Sequence, residues 1–169
     1  MLYIIAAILS VLIIALDQFT KYLITSNLIL GLHSIPILKG LINIVYVENE
    51  GGAWGFMQNN TWLLIAITVL IMMVCVAMLI KYGFKSKLFF FSIILVLSGG
   101  IGNLIDRVFR GSVVDFIQFG FFKQFPVFNI ADIAVCIGTF MLLFYFILDI
   151  IADIKSKKSI DIINTRTKS

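Results

Sequence analysis

TWLLIAITVLIMMVCVAMLI, residues 61–80, is a predominantly apolar stretch without a charged residue. About 20 helical residues cross the hydrocarbon core of a bilayer, so this length and composition predict a transmembrane helix. The whole chain has the same character, with 61% hydrophobic residues, 13% charged residues and a mean hydropathy of +1.09. These values lie outside the range of soluble domains and indicate an integral membrane protein.

Three further segments have the length and apolarity of a membrane span: Leu2–Ile24, Leu88–Ile105 and Ile130–Leu148. We therefore predict an all-α integral membrane protein with four transmembrane helices, forming one domain over residues 1–154. Residues 155–169 are predicted to be a polar, frayed cytoplasmic tail. The first segment lacks the basic start and the small-residue cleavage site of a signal peptide, so we expect a retained span.

The basic residues are unevenly distributed along the chain. Eight of the thirteen lie either in the link between the second and third spans or in the tail. Basic residues accumulate on the cytoplasmic side of membrane proteins, so both termini are predicted to be cytoplasmic. Because these residues flank apolar segments, we expect membrane lipids as their partners and no binding of nucleic acid.

The two connections on the opposite, outer side cover residues 25–60 and 106–129. Both are longer than simple links between neighbouring helices, and long connections often carry function. Within the first, LINIVYV, residues 41–47, is rich in β-branched residues. We predict that it forms a short strand or hairpin arm, a small β element in the extracytoplasmic loops.

The polar residues in and beside the spans are predicted to share one depth, the outer boundary of the bilayer. A charge at the centre of a transmembrane helix costs about 2.5–3.5 kcal/mol, so repeated placement at the boundary predicts a site there. The residues concerned are Asp17, Lys21, Asn49, Asn103, Asp106, Arg107, Asp115 and Asp132.

Two of these groups also have a purely structural interpretation. Asp17 and Lys21 are four residues apart and could form an ordinary helical ion pair, with the lysine extending to the interface. Gly99, Asn103 and Arg107 repeat at four-residue spacing on one helix face. That face could be a helix-packing surface or the wall of a peptide groove.

The segment before the fourth span has the pattern of a helix start. Asn129 is a candidate N-cap, and Asp132 follows three residues later near the positive end of the helix dipole. Capping does not account for Asp115, which lies in the apolar stretch VVDFIQF, residues 113–119. The segment ENEGGAWG, residues 48–55, lacks a phosphate-loop lysine, so we expect a turn with Trp54 at the interface.

The two cysteines, Cys75 and Cys136, lie inside separate apolar runs. Neither has another cysteine or a histidine at metal-ligand spacing, so the sequence supports no disulfide, zinc site or catalytic thiol. We expect both to be buried small hydrophobic residues.

Five short motifs follow one another along the chain: DQFTK at 17–21, NEGGAW at 49–54, GGIGNLIDR at 99–107, GSVVDF at 111–116 and FNIAD at 128–132. In this order, on four predicted spans, the set resembles the bacterial lipoprotein signal peptidase family, signal peptidase II. The resemblance extends to about residue 150. Trp54 stands where the family usually has phenylalanine.

The resemblance implies an aspartyl endopeptidase of the bacterial cytoplasmic membrane. It would remove the signal peptide from diacylglyceryl-modified prolipoproteins, just before the lipid-modified cysteine and at the outer face. Asp115 and Asp132 would be the catalytic pair, and no metal or other cofactor is implied. Substrate binding or support of the pair would fall to Asn49, Gly51, Asn103, Arg107 and Asn129, and support of the fold nearby to Asp17, Lys21, Gly99 and Asp106.

The implied partners are lipid-modified prolipoproteins, membrane lipids and globomycin-like cyclic peptide inhibitors, and we expect a monomer. Two other classes compete with this interpretation. Intramembrane acids also occur in proton- or ion-coupled transporters, but the inner halves of the spans lack ionisable residues and no internal repeat is present. A structural membrane scaffold would have no need of an aspartate pair.

Overall fold

The computed structural model describes residues 1–32, 34–52, 57, 60–83 and 86–166. Four long helices account for most of these residues, and three short strands lie in the two connections that sequence predicts to be outside. The elements are α1 (Leu2–Asn27), β1 (Ser34–Ile37), a 3-10 turn (Leu38–Gly40), β2 (Ile42–Asn49), α2 (Thr61–Tyr82), α3 (Lys87–Arg110), β3 (Val113–Phe119) and α4 (Ile130–Arg166).

All four helices are long and apolar enough to cross a membrane, which confirms the predicted fold class. The fourth helix is longer than predicted: it continues to Arg166 and does not end near Leu148. The prediction of a frayed end from residue 155 was therefore wrong for residues 155–166. After Gly138 the helix contains neither glycine nor proline to end it, and Asp153 and Lys157 form an exposed ion pair at 2.8 Å, one turn apart.

The strands form one antiparallel sheet in the order β1-β2-β3. Strand β2 contains residues 42–47 of the LINIVYV stretch, so the predicted β element is confirmed. Strand β3 was not predicted, because its apolar residues resemble a helical segment as much as a strand. A bulge between Ile44 and Val47 shifts the β2–β3 register, and Val47 then pairs with Asp115.

Helix α3 lies at the centre of the bundle and contacts each of the other three helices. Its closest approach is to α4, where small residues let the two helix backbones pack against each other without large side chains between them. A Cβ added at Gly99 would overlap the Ala131 carbonyl and come within 2.8 Å of Val135 Cγ2. Gly138 makes the reciprocal approach, since its Cβ would lie 2.7 Å from the Ser92 carbonyl oxygen.

A glycine turn directs the chain from α3 into β3. Gly111 has φ of 81°, in the left-handed region that favours glycine, and its N–H donates to the Arg107 carbonyl. The turn is held from α2, because the Thr61 hydroxyl donates to the Gly111 carbonyl at 2.8 Å. The chain reverses within two residues, and β3 therefore places Asp115 beside the end of α3.

Candidate active site

The eleven predicted site residues meet at the end of the bundle that carries the sheet. Hydrogen bonds and ion pairs join nine of them into one continuous network: Asp17, Lys21, Asn49, Gly51, Asn103, Asp106, Asp115, Asn129 and Asp132. Of the other two, Gly99 packs against α4 and Arg107 lines the adjoining cavity. The common depth inferred from sequence thus corresponds to a physical cluster.

Asn129 links the two candidate catalytic aspartates. Its side-chain Nδ2 donates to Asp115 Oδ1 at 2.7 Å, and its backbone N–H donates to Asp132 Oδ2 at 3.1 Å. Its Oδ1 accepts from the Asp132 N–H at 2.9 Å, which completes a reciprocal helix cap. The predicted cap is confirmed, and the same residue also holds the two carboxyl groups in one arrangement.

Each of the four carboxyl oxygens of this pair accepts one hydrogen bond. The remaining two donors are Asn49 Nδ2, 2.8 Å from Asp115 Oδ2, and Asn103 Nδ2, 2.7 Å from Asp132 Oδ1. A carboxylate oxygen has about two lone-pair sites, so each oxygen keeps one for a proton, a water or a substrate. The pair is therefore held firmly and still has capacity to react.

The Asn49 amide is oriented by the turn that follows β2. The Gly51 N–H donates to Asn49 Oδ1 at 3.1 Å, so the amide nitrogen is the group that faces Asp115. Residues 53–56, 58 and 59 lie outside the described residues. The predictions for the AW end of NEGGAW, including Trp54, fall on them.

Burial changes the acidity of Asp115, which is 2% exposed. Loss of hydration, followed by repulsion from Asp132, raises the pKa of Asp115 from 3.8 to about 7. Hydrogen bonds from Asn49 and Asn129 and the charge of Lys21 act in the opposite direction. Near neutral pH the pair can therefore keep one proton between them.

Lys21 differs from the exposed residue expected from sequence. It does not extend to the interface but is fully buried between Asp17 at 2.8 Å and Asp106 at 2.9 Å. The interpretation as an ordinary helical pair was incomplete, because Asp106 lies 85 positions away in the chain. A lysine with such partners can remain charged without contact with water.

Sequence reasoning missed two residues of this cluster. The Gln18 side chain donates to the Gly102 carbonyl at 3.0 Å and approaches Asp106 Oδ1 at 3.3 Å, which ties α1 to α3. A Cβ at Gly102 would come within 2.7 Å of Asp17 Oδ2, so only glycine leaves room for this carboxylate. The position of Gln18 inside DQFTK and of Gly102 inside GGIGNLIDR was the available signal.

A cavity of about 490 Å³ adjoins the aspartate pair. Its wall combines the polar residues with Phe119 at the end of β3, Phe125 and Phe128 from the β3–α4 connection, and then one face of α4. The volume lies in the range of ligand-binding sites in proteins. The α4 face continues away from the pair as Ile133, Cys136, Ile137 and Phe140, and the last three of these are exposed at the bundle surface.

Arg107 and Asn103 both line this cavity, while Gly99 one turn earlier packs against α4. The face defined by these three residues is therefore a packing surface at one end and a cavity wall at the other. The buried Nε of Arg107 has no hydrogen-bond partner within the described part of the chain. A guanidinium in this state is available to an incoming carbonyl group.

The expectation for Cys136 was wrong. Cys75 is buried as predicted, but Cys136 is exposed and lines the cavity one helical turn beyond Asp132. The apolar sequence around it indicates a membrane span correctly, yet composition does not reveal which face of that span borders a cavity.

Comparisons with known proteins agree with one another. The sequence model of the family described as signal peptidase (SPase) II matches residues 9–148. A lipoprotein signal peptidase from Bacillus pumilus (strain SAFR-032) is 43% identical over 143 residues, covering 84% of this chain and 92% of that protein. These matches favour a peptidase over the transporter and scaffold alternatives.

Two solved structures support the same fold. Both are of bacterial membrane enzymes determined by the in meso method, one at 2.3 Å and one at 1.9 Å resolution. The first has a TM-score of 0.80 at 33% identity and covers 85% of this chain and 88% of its own. The second has a TM-score of 0.77 at 33% identity, with coverage of 83% and 91%.

Proposed function

Since the chain belongs to the signal peptidase II family of aspartic peptidases, which remove signal peptides from prolipoproteins, we propose that Asp115 and Asp132 are its catalytic residues. The observation that carries this proposal is the Asn129 bridge between the two carboxyl groups beside the cavity. The bridge fixes two acids together in a largely buried site, which is the arrangement that lets one of them keep a proton.

The reaction then needs only one water molecule and the shared proton. The charged carboxylate takes a proton from water as the water oxygen attacks the scissile carbonyl carbon, and the protonated carboxyl donates to the carbonyl oxygen. When the tetrahedral intermediate collapses, one of its hydroxyl groups returns a proton to the charged carboxylate, the C–N bond breaks and the leaving nitrogen takes a proton from the acid. The pair ends with one proton, as it began.

The cavity wall supports a role in binding an extended peptide beside a lipid. Asn103 and the Arg107 guanidinium border the aspartates and can hold peptide carbonyl groups. The exposed part of the wall, Ile137 and Phe140, offers an apolar surface against which the lipid of a membrane-anchored substrate can pack. The family resemblance implies cleavage at the bond just before the lipid-modified cysteine, and we propose the same bond for this chain.

We further propose that the site faces the outside of the bacterial cytoplasmic membrane. The aspartates lie at the sheet end of the bundle, whereas Lys81 and Lys87 lie at the opposite ends of α2 and α3, which favours that end as cytoplasmic. Cysteines introduced at positions 85 and 168 should then be shielded from an impermeant reagent in intact cells, and a cysteine at position 39 should react. Positions 85 and 168 lie outside the described residues.

The experiment that tests the catalytic assignment compares amide variants of each aspartate. Purified protein in liposomes is incubated with a diacylglyceryl-modified precursor, and the shortened product is measured. Asp115→Asn and Asp132→Asn should each remove nearly all activity, because an amide keeps the shape but cannot exchange the required proton. The double variant should be no worse than either single one, since the two residues act as a unit.

Asp149→Asn, in the middle of α4 and more than four helical turns from Asp132, is the matched control and should cleave normally. A precursor without the lipid tests the assignment of the substrate and should be processed much more slowly. Substantial turnover by either correctly inserted aspartate variant would falsify the catalytic assignment. Equal processing of the two precursors would contradict recognition of the lipid.

A further inference from the structure

The Lys21 ammonium uses all of its hydrogen-bonding capacity inside the protein. It has three N–H donors and no acceptor, and its Nζ contacts three oxygen atoms. These are Asp17 Oδ2 at 2.8 Å, Asp106 Oδ2 at 2.9 Å and Asn103 Oδ1 at 3.0 Å. The first two contacts balance charge, whereas the third reaches a neutral side chain that touches the aspartate pair.

The third contact determines how the Asn103 amide is turned. Because a lysine can only donate, the atom of Asn103 that faces it must be the oxygen, and the amide nitrogen then points to Asp132 Oδ1 at 2.7 Å. The opposite orientation would place two N–H groups against the ammonium. It would also place them against Asn129 Nδ2, which now donates to Asn103 Oδ1 at 3.0 Å, and would set a carbonyl oxygen against a carboxylate.

We propose that Lys21 is a positioning residue for the peptidase reaction: it fixes Asn103 in the orientation that donates to Asp132, and it holds a positive charge beside the aspartate pair. The inference rests on the proposed function of that pair. It assigns to Lys21 a role in the chemistry that differs from the support of the fold inferred from resemblance. Lys21 acts through Asn103, since none of its hydrogen bonds reaches Asp115 or Asp132 directly.

Several charged groups surround Lys21 and the aspartate pair. The charged groups around it and the pair are Asp17 on α1, Asp106, Arg107 and Arg110 on α3, Asp115 on β3 and Asp132 on α4. Lys21 lowers the pKa of Asp115, against the effects of burial and of Asp132. Removal of Lys21 should therefore raise the apparent pKa of the pair, and removal of the negative charge of Asp17 should lower it.

The opposite changes expected in the apparent pKa of the pair provide the test. Lys21→Met and Asp17→Asn both break the same buried ion pair, so a purely structural role predicts the same kind of defect for both. Cleavage of the diacylglyceryl-modified precursor is followed across pH, at a temperature where circular dichroism shows each variant folded. A double control, Asp153→Asn with Lys157→Met, removes the exposed pair of the same spacing and distance on α4 and should match the wild type.

We expect Lys21→Met to lower kcat at least about tenfold, as for loss of a positioned donor, with KM little changed. The alkaline limb of its kcat/KM profile should move up by about one pH unit, and that of Asp17→Asn should move down. If both limbs coincide with the wild type while rates follow the folded fraction, Lys21 is only structural and the inference fails. Should Lys21→Met not fold, an unmoved limb in Asp17→Asn overturns the inference by itself.

The test separates this inference from the proposed function. A wild-type protein that does not cleave the lipid-modified precursor removes the premise, whatever the variants do. A wild type that cleaves, with variants whose alkaline limbs do not move, overturns only the role of Lys21.

Discussion

The contact between α3 and α4 predicts opposite effects for the same substitution at two adjacent glycines. In Gly99→Ala the new Cβ overlaps the Ala131 carbonyl and comes within 2.8 Å of Val135 Cγ2. In Gly100→Ala the nearest atoms are those of Met72 at 3.6 Å, an ordinary contact. The neighbours of Gly99 include helix backbone, so the two helices must separate to admit the methyl group.

The expected difference in free energy of unfolding between the two variants follows from two contributions. Replacing glycine by alanine inside a helix stabilises it by about 0.5–1 kcal/mol, and this gain is common to both positions. Overpacking at Gly99 costs about 1–3 kcal/mol, with no such cost at Gly100. The common gain cancels in the comparison, so the two variants should differ by about 1–3 kcal/mol in free energy of unfolding, with Gly100→Ala the more stable.

The two variants are compared by denaturant unfolding in the same detergent, together with cleavage of the lipid-modified precursor. Gly99→Ala should also cleave more slowly, because Ala131 directly precedes Asp132 and the displaced helix start carries the carboxylate with it. Gly100→Ala should retain the wild-type rate. Equal stability and equal rates for the two variants would refute the close approach of α3 and α4 at Gly99.

Three further predictions follow from the site. The pKa of Asp115, raised to about 7, implies that the shared proton is lost above that pH, so kcat/KM should fall on the alkaline side with an apparent pKa near 7 in a pH–rate profile. Lys21→Met should lower the free energy of unfolding by about 3–5 kcal/mol, because it leaves buried carboxylates without their partner. Lys157→Met, which breaks an exposed pair at the same 2.8 Å distance, should cost less than about 1 kcal/mol; similar losses in urea unfolding would contradict the role of burial. A bulky maleimide should label Cys136 in preference to Cys75 and slow cleavage by filling the cavity, and unchanged cleavage by fully labelled protein would exclude Cys136 from the substrate path.

Hydropathy and residue type predicted the features of this fold that depend on local sequence. The four spans and the strand at Ile42–Asn49 each have a signal of their own within a few residues. Strand β3 has none, because its partner β2 lies more than sixty positions earlier and pairing alone distinguishes it from a helical segment. The continuation of α4 to Arg166 was missed because the polar composition of this segment suggested fraying. Helix propensity and the Asp153–Lys157 ion pair stabilise a helix without burial or a membrane.

Sequence composition predicted the candidate site less completely than it predicted the spans. Polar residues at one depth could be located, but not which of them touch. The partnership of Lys21 with Asp106 joins two helices, and the exposure of Cys136 depends on which face of α4 borders the cavity. Both are properties of the packed bundle, so helical spacing predicted the wrong environment for Lys21 and apolar composition predicted the wrong one for Cys136.

The surroundings of the aspartate pair suggest why its direct hydrogen-bond donors are amides and not ammonium or guanidinium groups. Asn49, Asn103 and Asn129 donate to the carboxyl oxygens without adding charge. A lysine or arginine bonded directly to either carboxyl would favour full ionisation of both, and the shared proton needed for the reaction would be lost. With Lys21 placed one residue further away, behind Asn103, its charge limits the cost of burying one carboxylate while the repulsion between the two acids still retains the proton.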